Sequence, residues 1–195
     1  TVHCAEVTAD KLAVRASGSR VQVRVIGIIE NQNLTNAVEA SLSVHNGIVA
    51  ADIDHDIVPF CSIERHGRSE SRIGHTFVHG LGISHGAIAQ TIGHDTHNLL
   101  VCGSNLDDMA AAANHVRKLG GGIALVRDGH VIGDLALPIA GLMTDEITGV
   151  DLAQHIAELN HIAASKLGVS LPSPFMHLSF LSLVTSPKWK LTDMG

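Results

Sequence analysis

Residues 99–126 read LLVCGSNLDDMAAAANHVRKLGGGIALV, which is an apolar run, a helix with its own start and stop signals, and a second apolar run. Asn105 can cap the helix, acidic side chains such as Asp108 lie in its first turn, and Gly120 can end it. The pattern predicts a strand, a helix at about residues 105–119, and another strand directly after it.

Strand patterns lie on both sides of this helix. Valines alternate with polar residues from Arg20 to Ile29, the period of a half-buried strand. Asn46-Gly47 and Asp128-Gly129 are two-residue turns typical of hairpins, because both positions must accept a positive φ. The predicted strands and hairpins cover residues 20–29, 37–51, 57–63, 86–92, 98–103 and 122–137.

A second helix is predicted at about residues 149–167. Thr148 can cap it with Asp151 as the reciprocal partner, and Gly168 can end it. Hairpins dominate and the helices come late, so we predict an α+β (mixed α/β) class with hairpin-rich β-sheet layers. This order is not the repeating βαβ of a TIM barrel. The length and the absence of a low-complexity linker predict a single domain over residues 1–195.

Composition excludes several classes of function. The net charge of −6 argues against a nucleic-acid surface, and no apolar run is long enough to span a membrane. Three cysteines without C-x-x-C spacing, and no secretory signal, predict free thiols in a cytoplasmic protein. The chain begins at Thr1, so we expect a piece of a longer polypeptide, the alternative being Met removal with disordered ends.

Histidines are concentrated between Glu64 and Asn105, where six of the chain's 14 lie. His94, Asp95 and His97 are the main catalytic candidates, because histidine titrates near neutrality and a carboxylate can orient it. His94 and His97 are also weak candidates for metal ligands. In an extended segment Asp95 and His97 would share one face, whereas the alternative is a polar turn.

A second group of candidates follows the strand predicted at residues 57–63. Glu64 can act as a general base or a metal ligand, Arg65 can pair with it, and His66 is a further catalytic candidate. The alternative is an ordinary ion pair followed by a turn. We keep Arg65 and Asn98 as candidates for substrate binding or for a structural polar role.

Other patterns are weaker indications of a functional site. His75 and His79 have helical i,i+4 spacing, but the surrounding glycines and β-branched residues argue against a helix. The glycines near Gly80 and Gly120 do not precede a helix, which excludes a phosphate-binding loop or a dinucleotide fingerprint. Cysteines in apolar strands, such as Cys61, are predicted to be buried core thiols.

Several motifs in order resemble the C-terminal region of bacterial-type adenine deaminase, a member of the amidohydrolase superfamily. The likeness runs over about residues 20–195 and departs from the family pattern in the loop 68–72 and at His75 and His85. The matching segments are Ile63–Gly67, Phe77–Gly82, Gly86–Ala89, His94–Asn98, Asp108–Ala112, Gly120–Ile123, Leu137–Met143, Pro172–Met176 and Leu191–Gly195.

The resemblance implies a part of a longer enzyme. Full-length members hydrolyse adenine to hypoxanthine and ammonia with a divalent metal, manganese or iron, held in a (β/α)₈ barrel. Such a barrel needs about 250 residues, so the barrel and its metal are expected upstream of this chain. The chain itself is expected to pack on the barrel or close its mouth, in a homo-oligomer.

Three other functions stay open from the sequence. The first is a stand-alone metal- or purine-binding module without catalysis. The second is an independent hydrolase built on the histidine cluster. The third is a purely structural role in stabilising an oligomer.

Overall fold

A computed structural model describes residues 2–68 and 71–195 of the chain; Thr1 and two residues of the loop 68–72, Ser69 and Glu70, lie outside the described residues. The strands are β1 Arg20–Ile28, β2 Thr35–His45, β3 Ile48–Val49, β4 Ile57–Ile63, β5 Ile73–His79, β6 Ala87–Gln90, β7 Leu99–Gly103, β8 Gly122–Arg127 and β9 His130–Ala136. The helices are α1 Ala9–Leu12, α2 Leu106–Leu119, α3 Gly149–Leu167 and α4 Pro174–Phe180, with a short 3₁₀ helix at Ile53–His55.

The strands form one nine-stranded sheet in the order β3-β2-β1-β5-β4-β7-β6-β8-β9. Within the described part of the chain, every neighbouring pair is antiparallel except β1 and β5. The parallel pairing is short and joins Val25–Gly27 to Phe77–His79. The sheet is therefore open and mixed rather than a closed barrel.

Helices cover both faces of the sheet. Met109, Ala112 and Val116 of α2 pack on one face, and Leu159 and Ala163 of α3 belong to the core on the other. The central strand β4 is buried at all seven residues, because a strand with a covered layer on each side has no solvent face. The ends of the central strands are thus the places where polar side chains can reach solvent.

The predicted fold class is confirmed, and both main helices lie where the sequence placed them. Asn105 caps α2 through the backbone N–H of Asp108, and Thr148 caps α3 through that of Asp151. The hairpins at Asn46-Gly47 and Asp128-Gly129 are also confirmed. The sequence analysis did not predict α1 or α4, which are short and gain most of their stability from tertiary packing.

Two further expectations concern apolar segments. Cys4, Cys61 and Cys102 are buried and free, and burial raises the pKa of the Cys61 thiol to about 12. Cys61 and Cys102 are therefore core residues, as predicted, and are poor nucleophiles. Among the described residues, no helix has both the length and the apolar character needed to cross a bilayer.

Candidate functional site

Glu64 and Asn98 lie at one edge of the sheet because their strands are neighbours. Glu64 follows the last residue of β4, and Asn98 precedes the first residue of β7. These strands are antiparallel and pair Ile63 with Leu99, so the two polar residues continue from adjacent positions of the ladder. Both side chains are almost fully buried, with exposed fractions of 4% and 1%.

A cavity of about 310 Å³ opens beside this pair. Its walls come from the residues after β4, the turn before β7 and the C-terminal segment. The lining residues are Glu64, His66, Arg68, Arg72, Asp95, Thr96, Asn98, Asp193 and Met194. Three of these side chains are carboxylates, so the cavity offers several hydrogen-bond acceptors to a ligand with N–H groups.

His66 links the two sequence clusters. Its ring Nε2 lies 2.7 Å from the main-chain oxygen of Thr96, so Nε2 carries the proton and donates it. Its backbone N–H donates to Oε1 of Glu64 at 2.5 Å. This tautomer leaves Nδ1 as the ring nitrogen that can accept a hydrogen bond or a proton. The imidazole is exposed and lines the cavity.

Asn98 connects the cavity to the C-terminal segment. Its Nδ2 donates to Oδ1 of Asp193 at 3.0 Å and to the hydroxyl of Ser62 at 3.3 Å. Arg72 makes an ion pair with the other oxygen of Asp193 at 3.1 Å. The sequence analysis included Asp193 within the matching segment Leu191–Gly195 but gave it no role, because its contact with Asn98 joins residues 95 positions apart.

His94–His97 forms a turn and not an extended segment, so of the two conformations that the sequence left open the polar turn is the one present. His97 has a positive φ of 47°. The ring of His94 stacks on Phe180 of α4, with centroids 5.7 Å apart. The turn therefore presents Asp95 and Thr96 to the cavity, whereas the rings of His94 and His97 are not among its lining groups.

The surroundings of His97 favour its neutral imidazole. The backbone N–H of Gly93 donates to its Nδ1 at 3.4 Å, which places the ring proton on Nε2. Burial lowers the pKa of His97, and the neighbouring charges of His94, Arg65 and His66 lower it further, while Asp95 acts in the opposite direction. The ring is thus suited to a fixed structural contact near neutral pH.

Arg65 donates a hydrogen bond to the backbone of the turn His94–His97. Among the residues that the structure describes, it is the largest fully buried side chain, with an exposed fraction of 2%. Its Nε donates to the main-chain oxygen of His97 at 2.5 Å, and its Nη2 donates to that of Ala140 at 2.8 Å. Arg65 does not line the cavity, so these contacts favour the structural polar role over direct substrate binding.

The described residues contain no group of three or more His, Cys, Asp or Glu side chains placed to hold a metal ion. His94 and His97 face each other edge to face, with ring centroids 6.1 Å apart. His75 and His79 lie on β5, so the helical i,i+4 arrangement does not occur. His115 on α2 makes a close contact with Asp134 of β9 at 2.5 Å, away from the cavity.

Comparison with known proteins identifies a family to which this chain is similar. The family model described as "Adenine deaminase C-terminal domain" matches residues 32–195. The whole chain is 48% identical to a protein named adenine deaminase 1 from Carboxydothermus hydrogenoformans. It is 42% identical over 195 residues to an adenine deaminase from Oleidesulfovibrio alaskensis. It is 40% identical over 189 residues to one from Gluconobacter oxydans.

These relatives are much longer than the chain. The similarity covers all of the chain but 32% of the Carboxydothermus protein and 33% of the Oleidesulfovibrio protein. For the Gluconobacter protein the covered shares are 97% of the chain and 33% of the relative. The chain thus spans about a third of the length of these relatives.

Proposed function

This chain belongs to the adenine deaminase C-terminal domain family, and from that premise we propose that it is one domain of an adenine deaminase. In this proposal the full-length protein hydrolyses adenine to hypoxanthine and ammonia. The chain, as a single domain over residues 1–195, packs on an upstream catalytic barrel and closes its mouth.

One observation supports the choice of the surface that faces the active site in this proposal. Glu64, His66 and Asp95 come from two separate segments and meet at one open cavity at the strand ends. Adenine carries an exocyclic amino group, whose N–H groups suit carboxylate acceptors. A polar wall of this kind, brought against the barrel, would exclude bulk water and orient the purine.

The metal belongs elsewhere in this proposal. Within residues 2–68 and 71–195 no cluster of three ligating side chains exists, so these residues do not fit a divalent metal centre. We assign the manganese or iron to the upstream barrel, and no step of the reaction is assigned to a metal in this chain. The candidates His94 and His97 take a supporting role in the turn that presents Asp95.

The proposal is tested in the full-length enzyme with His66→Gln and Asp95→Asn. Each variant is expected to reduce adenine turnover by about tenfold to hundredfold, because groups that position a substrate act through its geometry. Metal content should stay at the wild-type level. The matched control is His130→Gln, an exposed histidine at the far hairpin, which should leave turnover unchanged. Unchanged turnover in both cavity variants would refute the closure role.

A second experiment separates the domain from a stand-alone protein. The chain alone, supplied with manganese or ferrous iron, is expected to release no ammonia from adenine. Turnover by the chain alone would contradict the division of labour with an upstream barrel. Stoichiometric binding of adenine or metal without turnover would instead favour a binding module.

The same proposal includes the cellular compartment, the metabolic role and the oligomeric state of the enzyme. Three buried free thiols suit a reducing compartment, so we place the protein in the cytoplasm and in purine metabolism. We also propose a homo-oligomer, for which light scattering of the full-length protein is the direct measurement. A monomer at working concentrations would refute that part alone.

A further inference from the structure

A second cavity lies where β1 and β5 part from each other. The two strands pair only along Val25–Gly27 and Phe77–His79, although both begin several residues earlier. The earlier residues of both strands line a cavity of about 530 Å³. Its lining residues are Val14, Val23, Arg24, Ile26, His75, Thr76, Phe77, Lys188, Trp189, Lys190, Leu191 and Gly195.

The charge of this cavity is opposite to that of the whole chain. The chain has a formal net charge of −6, yet Arg24, Lys188 and Lys190 all line the cavity. As far as the described residues show, none of the lining side chains is acidic. Glu39 is opposite Arg24 on β2 but does not line the cavity. Three cationic side chains thus line one concave volume, and Gly195, which carries the terminal carboxylate of the 195-residue chain, lines it as well, so the cations outnumber the anionic groups.

Two of the three cations, Arg24 and Lys190, contact neighbouring groups. The guanidinium of Arg24 lies 5.6 Å from the ring centroid of Trp189, within the range of a cation–π contact. The Nζ of Lys190 donates to the main-chain oxygen of Asn33 at 2.7 Å. Burial lowers the pKa of Lys190 to about 8, so its charge is costly until an anion approaches. Such fixed cations suit recognition of a compact dianion.

We propose that this cavity binds a phosphomonoester, with Arg24, Lys188 and Lys190 around the phosphate. The volume lies within the range of small-molecule sites and leaves room for the organic part of the ligand. The site is separate from the cavity at Glu64 and Asp95, and it goes beyond the proposed function. It does not depend on adenine hydrolysis, so it can be tested on the 195-residue chain itself, whose sheet carries a hydrophobic core on each face.

The chain contains its own reporter for this test. Trp189 is the only tryptophan, and there is no tyrosine, so its fluorescence reports on the cavity alone. Ribose 5-phosphate titrated at low salt should change this fluorescence to saturation, and ribose should not. AMP as a third probe shows whether a base adds affinity to the shared phosphate. Failure of both phosphates to bind, or equal binding of ribose, would overturn the proposal.

Two variants test whether ribose 5-phosphate binds in this cavity. Lys188→Gln should weaken ribose 5-phosphate binding by about tenfold or more, because it removes a charge-assisted contact. Lys118→Gln makes the same charge change at an exposed position of α2 and should have little effect. Equal weakening by the two variants would show non-specific attraction and refute the site.

Proton uptake on binding tests whether Lys190 contacts the phosphate, because a purely structural lysine would not change its protonation when the ligand binds. Near pH 8 a bound dianion should raise the pKa of Lys190, so binding should take up protons, measured by calorimetry in buffers of different ionisation enthalpy. Lys190→Arg should keep the binding and lose the proton uptake, because arginine stays charged. Binding without proton uptake by the wild type would place the phosphate away from Lys190 and contradict the proposed site.

Discussion

The Nε of Arg65 donates a hydrogen bond to the main-chain oxygen of His97, 2.5 Å away. A residue just past the end of β4 thereby fixes the turn that presents Asp95 to the cavity. The same guanidinium reaches Ala140 in the segment after β9, so it joins two loops. Arg65 is best described as a positioning residue for the candidate site.

Replacement of Arg65 by lysine should destabilise the protein although it keeps the charge. Lysine carries a single compact ammonium and cannot reproduce the planar fork that bridges two carbonyls. We expect the free energy of unfolding to fall by about 2–4 kcal/mol in urea denaturation, because buried oxygens lose their donors. The control is Arg127→Lys, whose side chain also donates to a carbonyl, that of Lys166, but at the surface. A change there beyond about 0.5 kcal/mol would show that the assay does not isolate burial.

Gly141 is required by the position of the Arg65 guanidinium. A Cβ at Gly141 would lie 2.8–2.9 Å from three guanidinium atoms, and its φ is +74°. Gly47 has a similar φ of +79° but has no atom within 4 Å of a built Cβ. Gly47→Ala should cost about 1 kcal/mol of unfolding free energy from the left-handed conformation alone. Gly141→Ala should cost about 2–4 kcal/mol, because steric overlap adds to it. Equal costs for the two alanine variants in urea denaturation would contradict this packing.

The local features of the fold could be predicted from the sequence because their signals are local. The cap at Asn105, the cap at Thr148 and the turn at Asn46-Gly47 each depend on residues within a few positions of one another. These signals set the helix bounds and the hairpins closely. Their physical cause is a backbone hydrogen bond or a positive φ, which neighbouring residues decide.

The candidate site could be predicted only in part. The sequence indicated Glu64, His66 and Asp95, because titratable groups were concentrated at predicted strand ends. It gave no role to Asp193, whose contact with Asn98 depends on how the C-terminal segment folds back. It could not decide between an extended segment and a polar turn at His94 and His97, because spacing does not distinguish the two, and their catalytic role stays a prediction. These roles follow from tertiary packing, which pattern analysis does not contain.

Stability should fall on the acid side because of His97. Its pKa in the folded protein is lowered mainly by burial, so below about pH 6.5 the unfolded chain binds a proton more readily. The contribution of neutral His97 is thus fully present above that pH and is lost as the pH falls through the lowered pKa.

The measurement is urea denaturation between about pH 8 and pH 5. His97→Asn keeps an acceptor oxygen at the position of Nδ1 for the Gly93 N–H but cannot titrate, so its stability should decline less steeply than that of the wild type. His130→Asn, at an exposed position of the β9 hairpin, should follow the wild-type profile. A His97→Asn profile parallel to the wild type would show that this ring does not titrate as described.

Asp107 and Asp108 lie next to each other at the start of α2, but we expect only Asp108 to contribute strongly to stability. Asp108 is buried and accepts hydrogen bonds from the backbone N–H groups of Asp128 at 3.2 Å and Gly129 at 2.7 Å. Its Oδ2 also accepts from Nδ2 of Asn105 at 2.8 Å. Asp107 next to it is exposed. Asparagine offers one acceptor oxygen in place of two, so Asp108→Asn leaves at least one of these donors without its partner.

We therefore expect Asp108→Asn to lower the free energy of unfolding by about 1–3 kcal/mol. Asp107→Asn should cost about 0.5 kcal/mol, because it loses only a favourable interaction with the helix dipole. Hydrogen exchange at the Gly129 amide should become faster in Asp108→Asn and stay unchanged in Asp107→Asn, since only the first variant disturbs the acceptor of that N–H. Equal costs with unchanged exchange would mean that the β8–β9 turn is held by its own backbone conformation and not by the helix it touches.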